Sequence, residues 1–183
     1  MKIKDKIEKE FKTLDDKSVV LLDLNAENYF EAVMHAVDFM LKKGRKGVFI
    51  TVSRPYKYIL REMQKRNIAT ENLLFIDCTS AMAGEHDGAS CTYIENPAAL
   101  EEIGMQIGSL LDAIKSEEKF LIVDSISSLL IYNTAPSIKE FSMFLINKMR
   151  LEGVTGILVT IEKDVPEDIK RILIAMCDEV IYV

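Results

Sequence analysis

The chain has 183 residues and a mass of 20.8 kDa, which suits one domain large enough to bury a real core. Its composition, with 49% apolar and 28% charged residues, is typical of a soluble globular protein. A formal net charge of -6 argues against a nucleic-acid-binding face. The sequence has no apolar run near the roughly 18 residues of a membrane span, and its start is unlike a signal peptide. We therefore expect a soluble, cytoplasmic domain.

Cysteine and histidine spacing gives no sign of a metal site. Cys78, Cys91 and Cys177 are widely separated and form no C-x-x-C pair, which predicts reduced thiols in or near the core. His35 and His86 have no cysteine or histidine at ligand spacing. We predict neither a disulfide framework nor a bound metal ion.

In chain order, the first predicted element is an N-terminal amphipathic helix. Four apolar residues fall on one helical stripe: Ile3, Ile7, Phe11 and Leu14. We assign residues 1–17 to this helix and residues 18–183 to a single core domain. The sequence leaves open whether the helix docks on its own domain or on a neighbouring molecule.

From residue 18 onward, short apolar runs alternate with helical patterns. The predicted strands are 18–24, 47–52, 73–77, 119–124, 154–160 and 178–183. The predicted helices are 26–43, 55–66, 97–115, 137–152 and a short one that begins at Pro166. Ser137 and Glu140 fit a capping box at the start of helix 137–152. Residues 78–93 are interpreted as a loop, long enough to be a lid or a partner contact.

This alternation of strands and helices requires crossover connections. It predicts an α/β fold of three layers, in which a mostly parallel sheet has helices on both faces. In such sheets, ligands bind beyond the carboxyl ends of the strands. The residues that directly follow each strand are therefore the candidates for chemistry.

One strand end carries a recognisable signature. Residues 120–129 read FLIVDSISSL, an apolar strand that ends in Asp124 and is followed by a serine-rich turn. This segment resembles the Walker B segment of RecA-superfamily ATPases, particularly the KaiC-like branch. The order of strands and helices from about Ser18 to the end resembles the RecA core. The resemblance implies a RecA-like (P-loop NTPase-type) fold in which Asp124 helps to hold Mg²⁺ through water and Ser125 lines the site.

The turn after the first strand departs from that family. A phosphate loop needs G-x-x-x-x-G-K-[ST], because its glycines let backbone N–H groups wrap the phosphates and its lysine neutralises their charge. Residues 23–31 read DLNAENYFE and contain no glycine, no lysine, and no serine or threonine. Asn25 is predicted to cap the following helix where a phosphate would lie. Asp23, Glu27 and Glu31 would direct negative charge towards a triphosphate.

The turn after the second strand departs from the family as well. KaiC-like enzymes carry acidic residues there that activate the attacking water, whereas residues 51–55 read TVSRP. Phosphoryl transfer depends on positioning, metal and charge neutralisation. We therefore assign no catalytic residue and expect no cofactor. If ATP with Mg²⁺ binds at all, the degenerate nucleotide site would consist of Asn25, Asn28, Asp124 and Ser125.

Simpler structural roles compete with each candidate. Asp124 is interpreted as a cap of the serine-rich turn, and Arg54 as a solvated loop residue instead of an arginine finger acting on a neighbouring subunit. A Ser–His–Asp triad at Ser125 is not favoured, because the G-x-S-x-G elbow that exposes a nucleophile is missing.

Three functions remain open from the sequence. The favoured one is a non-catalytic RecA/KaiC-like domain that acts as a regulatory, adaptor or signalling module through a protein partner or a homo-oligomer. The second is nucleotide binding at the degenerate site, with hydrolysis dependent on a partner subunit. The third is a recombinase-paralogue role on DNA, against which the acidic pI of about 5.1 argues. A basic face would favour this third function; it would be drawn from Lys42, Lys43, Arg45, Lys46, Lys57, Arg61, Lys65 and Arg66.

Overall fold

The short apolar runs of the sequence pair into one β-sheet in the computed structural model, which describes residues 2–86 and 90–183. Within those residues the strands are β1 (Val19–Leu24), β2 (Lys46–Thr51), β3 (Leu73–Asp77), β4 (Cys91–Tyr93), β5 (Lys119–Asp124), β6 (Thr155–Ile161) and β7 (Glu179–Tyr182). Their order in the sheet is β4-β3-β2-β5-β6-β1-β7, and each pairing between them is parallel. The predicted α/β class with a mostly parallel sheet is confirmed.

Helices cover both faces of this sheet, because its strands are apolar on both sides. They are α1 (Ile3–Lys12), α2 (Tyr29–Lys42), α3 (Tyr56–Lys65), α4 (Leu100–Ala113), α5 (Ile126–Leu129), α6 (Ala135–Glu152) and α7 (Glu167–Met176). Helices α1, α2 and α3 pack on one face, and α4 to α7 pack on the other. None of the helices in the described ranges is long and apolar enough to cross a membrane.

The two cores are built from alternate residues of the same strands. In β5, Leu121 and Val123 face one layer of helices, whereas Phe120 and Ile122 face the other. A glycine at position 47 of β2 is required here, because a Cβ atom would overlap the buried ring of Phe120. The central strands are therefore fixed in place from both sides.

Helix α1 lies on its own domain. Ile7 and Phe11 are buried, and the Phe11 ring meets the Phe39 ring of α2 edge-on, with centroids 5.7 Å apart. This contact decides between the two docking alternatives that the sequence left open.

Two local predictions are wrong. Residues 78–93 are not all loop: Ser80–Ala83 form a 3₁₀ turn, and Cys91–Tyr93 form the edge strand β4 beside β3; residues 87–89 lie outside the described ranges. A strand of three residues is too short to produce a periodic pattern. Helix α6 begins before the predicted capping box, since Thr134 is its N-cap and accepts a hydrogen bond from the Ser137 N–H at 3.3 Å.

Candidate functional site

The carboxyl ends of β1, β2, β5 and β6 meet at one edge of the sheet. The strand register places Thr51 of β2 beside Asp124 of β5, and Asp23 of β1 beside Thr160 of β6. A ligand of a parallel α/β sheet would bind along this edge. The candidate residues from the sequence therefore lie where the fold places chemistry.

The β1–α2 turn is closed by its own side chain. The Asn25 Oδ1 atom accepts a hydrogen bond from the Asn28 N–H at 3.0 Å, which fixes the four residues before α2 as a tight turn. Asn28 occupies the N-cap position but makes no side-chain cap hydrogen bond. Asn25 therefore closes the turn with its side chain, as predicted, but the helix begins later than predicted, at Tyr29, with Asn28 at its N-cap position.

Tyr29 joins this turn to the ends of β5 and β2. Its ring is buried in the first turn of α2, its hydroxyl donates a hydrogen bond to the Asp124 Oδ1 atom, and its oxygen lies 3.0 Å from the Ser53 Oγ atom. The sequence analysis missed Tyr29, which matched the apolar pattern of a helix. No pattern in the sequence singled it out, because an aromatic residue in the first turn of a helix is ordinary.

Asp124 is fully buried, and its second oxygen, Oδ2, accepts no hydrogen bond from any described residue. Burial raises the pKa of this carboxyl group to about 8, so it is mostly protonated near neutral pH. A protonated carboxyl group is a weaker ligand for Mg²⁺ than a carboxylate is. The resemblance implies a metal-ligand role for Asp124, and the burial of its carboxyl group and its hydrogen bond from Tyr29 are the observations that bear on this role.

The serine-rich turn is capped by the neighbouring residue. The Ser125 Oγ atom accepts a hydrogen bond from the Ser128 N–H at 3.1 Å at the start of α5, and it lies 2.9 Å from the Ser128 hydroxyl. The interpretation of Asp124 as the cap is therefore wrong. Ser125 is fully buried and engaged in this local network.

Arg54 covers the outer side of Tyr29. Its guanidinium group lies over the Tyr29 and Phe30 rings, 5.3 and 4.4 Å from their centroids, which are distances for cation–π contacts. Its Nη1 atom is buried and donates to no described acceptor. The interpretation of Arg54 as a solvated loop residue is wrong, since the side chain packs into the α2 surface.

Two of the three carboxylates near the turn are neutralised by basic groups. Asp23 accepts a hydrogen bond from the Thr160 hydroxyl at 2.8 Å. It also lies 2.6 Å from the Lys170 Nζ atom, and the hydrogen bond between Lys170 and Asp23 raises the pKa of Lys170. Glu31 contacts Arg66 at 3.2 Å and His35 at 3.1 Å. The negative charges of Asp23 and Glu31 are therefore balanced by ion pairs within the chain, with Lys170 and Arg66.

Of the four predicted site residues, Asn25 lines the cavity at the end of β1 and the other three do not. The cavity at the end of β1 measures about 250 Å³ and is lined by Asn25, Asp23, Lys170 and Tyr182 among others, but by neither Asp124 nor Ser125. In the described part of the chain, the turn offers no lysine and no glycine to a phosphate. These residues do not fit a Mg²⁺–triphosphate group.

The cysteines have the environment that their spacing predicted. All three are unpaired; Cys78 is buried, while Cys91 and Cys177 are partly buried. Burial raises the pKa of both Cys91 and Cys177 to about 12, so these thiols stay protonated. Across residues 2–86 and 90–183, there is no cluster of three metal-ligating side chains.

Comparison with known proteins finds a family model that matches most of the chain. Residues 32–182 match the family model described as "ATPase: KaiC". None of the curated proteins matches the chain at a significant level.

Solved structures share the fold. The KaiC-like protein PH0186 of Pyrococcus horikoshii superposes with a TM-score of 0.68 at 19% identity, covering 92% of this chain and 72% of that one. The uncharacterized protein PH0321 of the same organism, in complex with an unknown peptide, gives 0.70 at 12% identity, with 97% and 82% covered. The flagellar accessory protein FlaH of Methanocaldococcus jannaschii gives 0.62 at 12% identity, with 92% and 72% covered. At these identities the likeness concerns the fold alone.

Proposed function

We propose that this chain, which belongs to the KaiC ATPase family, is a non-catalytic member that acts through protein–protein contacts. The observation that carries the proposal is the buried pair of Tyr29 and Asp124. In this pair the residue that the resemblance places at the metal-ligand position is buried, which raises the pKa of its carboxyl group, and it accepts a hydrogen bond from a tyrosine.

The position of the family match supports the same proposal. It begins at residue 32, inside α2, and so lies after the turn of residues 23–31 in which a phosphate loop would stand. That turn is closed by Asn25 and covered by Tyr29 and Arg54. The sheet and its helices are kept, whereas the groups that would bind phosphate and activate water are not present in the sequence.

A role on DNA has less support. Several of the basic residues that could form a cationic face are paired with carboxylates: Lys42 with Asp38, Lys57 with Glu85, and both Lys65 and Arg66 with Glu62. Paired surface charges contribute little to phosphate binding, since their charge is already compensated. We therefore place protein partners ahead of nucleic acid.

Calorimetric titration with ATP and ADP, each with and without Mg²⁺, tests the proposal. We expect no saturable heat at nucleotide concentrations up to about 1 mM, and no phosphate release above the buffer rate. An Asp124→Ala variant serves as the control for the site. Micromolar binding that disappears in this variant would contradict the proposal and establish a nucleotide sensor with an unfamiliar phosphate contact.

A further inference from the structure

The helical face opposite α1, α2 and α3 carries an open groove of about 770 Å³ between α4 and α6. We name it the α4–α6 groove. Its apolar surface comes from Leu100 and Met105 of α4 and from Phe141 and Phe144 of α6, whose rings stack with centroids 6.2 Å apart. Met105 is 68% exposed and Phe144 is 46% exposed. Large apolar side chains exposed together in one concave strip indicate a contact surface.

The shape of the groove follows from two glycines one helical turn apart. A Cβ atom on Gly104 would lie 3.1 Å from the Phe144 ring, and one on Gly108 would lie 3.3 Å from the Lys148 Nζ atom. The two helices therefore run in the same direction, and Phe144 and Lys148 of α6 pack against α4 at its two glycines. From Leu100 to Asp112 the groove extends over roughly 18 Å at the helical rise of about 1.5 Å per residue. A long, narrow strip of this kind suits about three turns of a helix.

The rim of the groove is acidic. Glu101, Asp112 and Glu140 line it, and none of them forms an ion pair with another described residue. The one basic residue of the rim, Lys148, is already paired with Glu152 at 2.5 Å. Three carboxylates without an ion-pair partner along an apolar strip favour a partner that carries positive charge beside its apolar residues. They would repel both nucleic acid and the anionic surface of a membrane.

We propose that the α4–α6 groove binds a cationic amphipathic helix of a partner protein, with the apolar ridge of that helix against Met105, Phe141 and Phe144. The lysines or arginines that flank the ridge meet Glu101, Asp112 and Glu140. This inference rests on the proposed function, because it names the surface and the partner chemistry through which a non-catalytic domain would act. Binding of an amphipathic helix in an apolar groove is an established mode of peptide recognition.

The test uses a designed peptide of about 18 residues made of leucine, alanine and lysine, with the leucines on one helical face and the lysines beside them. A second peptide has the same composition with the leucines distributed around the helix. A third replaces the lysines with glutamate. Fluorescence anisotropy on the full chain is expected to show saturable binding of the first peptide, at least about tenfold tighter than the other two, and weaker at high salt.

Three variants locate the binding. Met105→Lys and Gly108→Leu are each expected to weaken binding of the first peptide at least about tenfold, since one places a charge on the apolar strip and the other fills it. Leu151→Lys is the matched control, because Leu151 is 89% exposed on α6 outside the groove and the charge change is the same. It should alter binding less than about twofold. Gly108→Leu is expected to fold, since the added Cβ atom meets only the flexible end of Lys148.

Several results would overturn the inference. They are absence of binding, equal binding of the two lysine peptides, or binding that Met105→Lys and Gly108→Leu leave unchanged in folded protein. Sedimentation of the chain alone is the last check, because self-association that Met105→Lys abolishes would make a second copy the occupant. Each of these failures would leave the nucleotide titration unaffected, so the inference can fail while the proposed function stands.

Discussion

At the scale of single residues, the main feature of the candidate site is a tyrosine hydroxyl that is hydrogen-bonded to a buried carboxyl group at the carboxyl end of β5. Tyr29 donates to Asp124, and no described group neutralises the second carboxyl oxygen. Such burial disfavours the charged form, so the acid is kept neutral by the apolar surroundings of β5. The same carboxylate exposed to water would be free to hold a metal ion. Under the proposed function, the buried environment of Asp124 is what keeps this carboxyl group from binding a metal ion.

This environment predicts how stability depends on pH. The pKa of Asp124 is raised from 3.8 to about 8 in the folded chain, so the folded state holds a proton that the unfolded state releases. The sign follows from proton linkage: stability is greatest below about pH 4 for this group and is lost as pH rises towards about pH 8. Asp124→Asn cannot ionise and still accepts the Tyr29 hydrogen bond. We expect the wild type to lose about 1 kcal/mol or more relative to Asp124→Asn between about pH 5 and pH 8.

Urea denaturation of both chains at these two pH values measures the difference. Asp168→Asn is the control, because Asp168 is exposed on α7 and its replacement should leave the pH dependence as in the wild type. If Asp124→Asn and the wild type lose stability in parallel, Asp124 is ionised in the folded chain and the account of the site is wrong.

At the scale of elements, the N-terminal helix is part of the core. Ile7 and Phe11 of α1 are as buried as the strands beneath, and they pack in the same cluster as β1 and α2. The helix begins at Ile3 without a side-chain cap, so its own end contributes little stability. Tertiary packing therefore holds α1 in place.

Phe11→Ala tests this role. The substitution removes the edge-on contact with Phe39 and leaves a cavity, so we expect a loss of about 3 kcal/mol in the free energy of unfolding. Lys9→Ala changes an exposed residue of the same helix and should cost less than about 0.5 kcal/mol. Chemical denaturation followed by far-ultraviolet circular dichroism should show one transition in both chains. A separate early transition in the wild type would mean that α1 is a detachable segment.

The sequence predicted the long elements better than the short ones. Helices such as α2 and α6, and strands such as β1 and β5, have enough residues to display a period, and they lie within a few residues of the predicted bounds. Strand β4 has three residues and exists because the edge of β3 offers free backbone groups to it. The cap of α6 was misplaced, since Pro136 follows Thr134 at a position where a helix tolerates proline.

At the scale of the whole molecule, the missed contacts join distant parts of the chain. Tyr29 and Asp124 meet only because α2 follows β1 while β5 lies between β2 and β6. Lys170 reaches Asp23 from the other end of the sequence in the same way. Patterns in a single sequence predict which residues lie at strand ends. They do not predict which side chain from a distant part of the chain forms a hydrogen bond or an ion pair with those residues. The family match and the absence of its phosphate loop were both readable in the sequence; Tyr29 was not.

The candidate site and the proposed docking surface are separate. The candidate site lies at the carboxyl ends of the strands, whereas the α4–α6 groove lies on one helical face, where Met105 and Phe144 are exposed. Under the proposed function, the chain binds partners through such a face without a nucleotide. The central claim is therefore that the Tyr29–Asp124 pair leaves no nucleotide site at the end of β1.

Amide chemical shifts report on that claim at the site itself. The ¹⁵N–¹H spectrum of the 20.8 kDa chain is recorded during a titration with Mg²⁺–ATP to about 5 mM. We predict that the amide signals of Asn25 to Asn28 and of Asp124 and Ser125 stay in place. Saturable shifts at those residues, lost in Asp124→Ala, would contradict the account and show that the sheet edge still binds nucleotide.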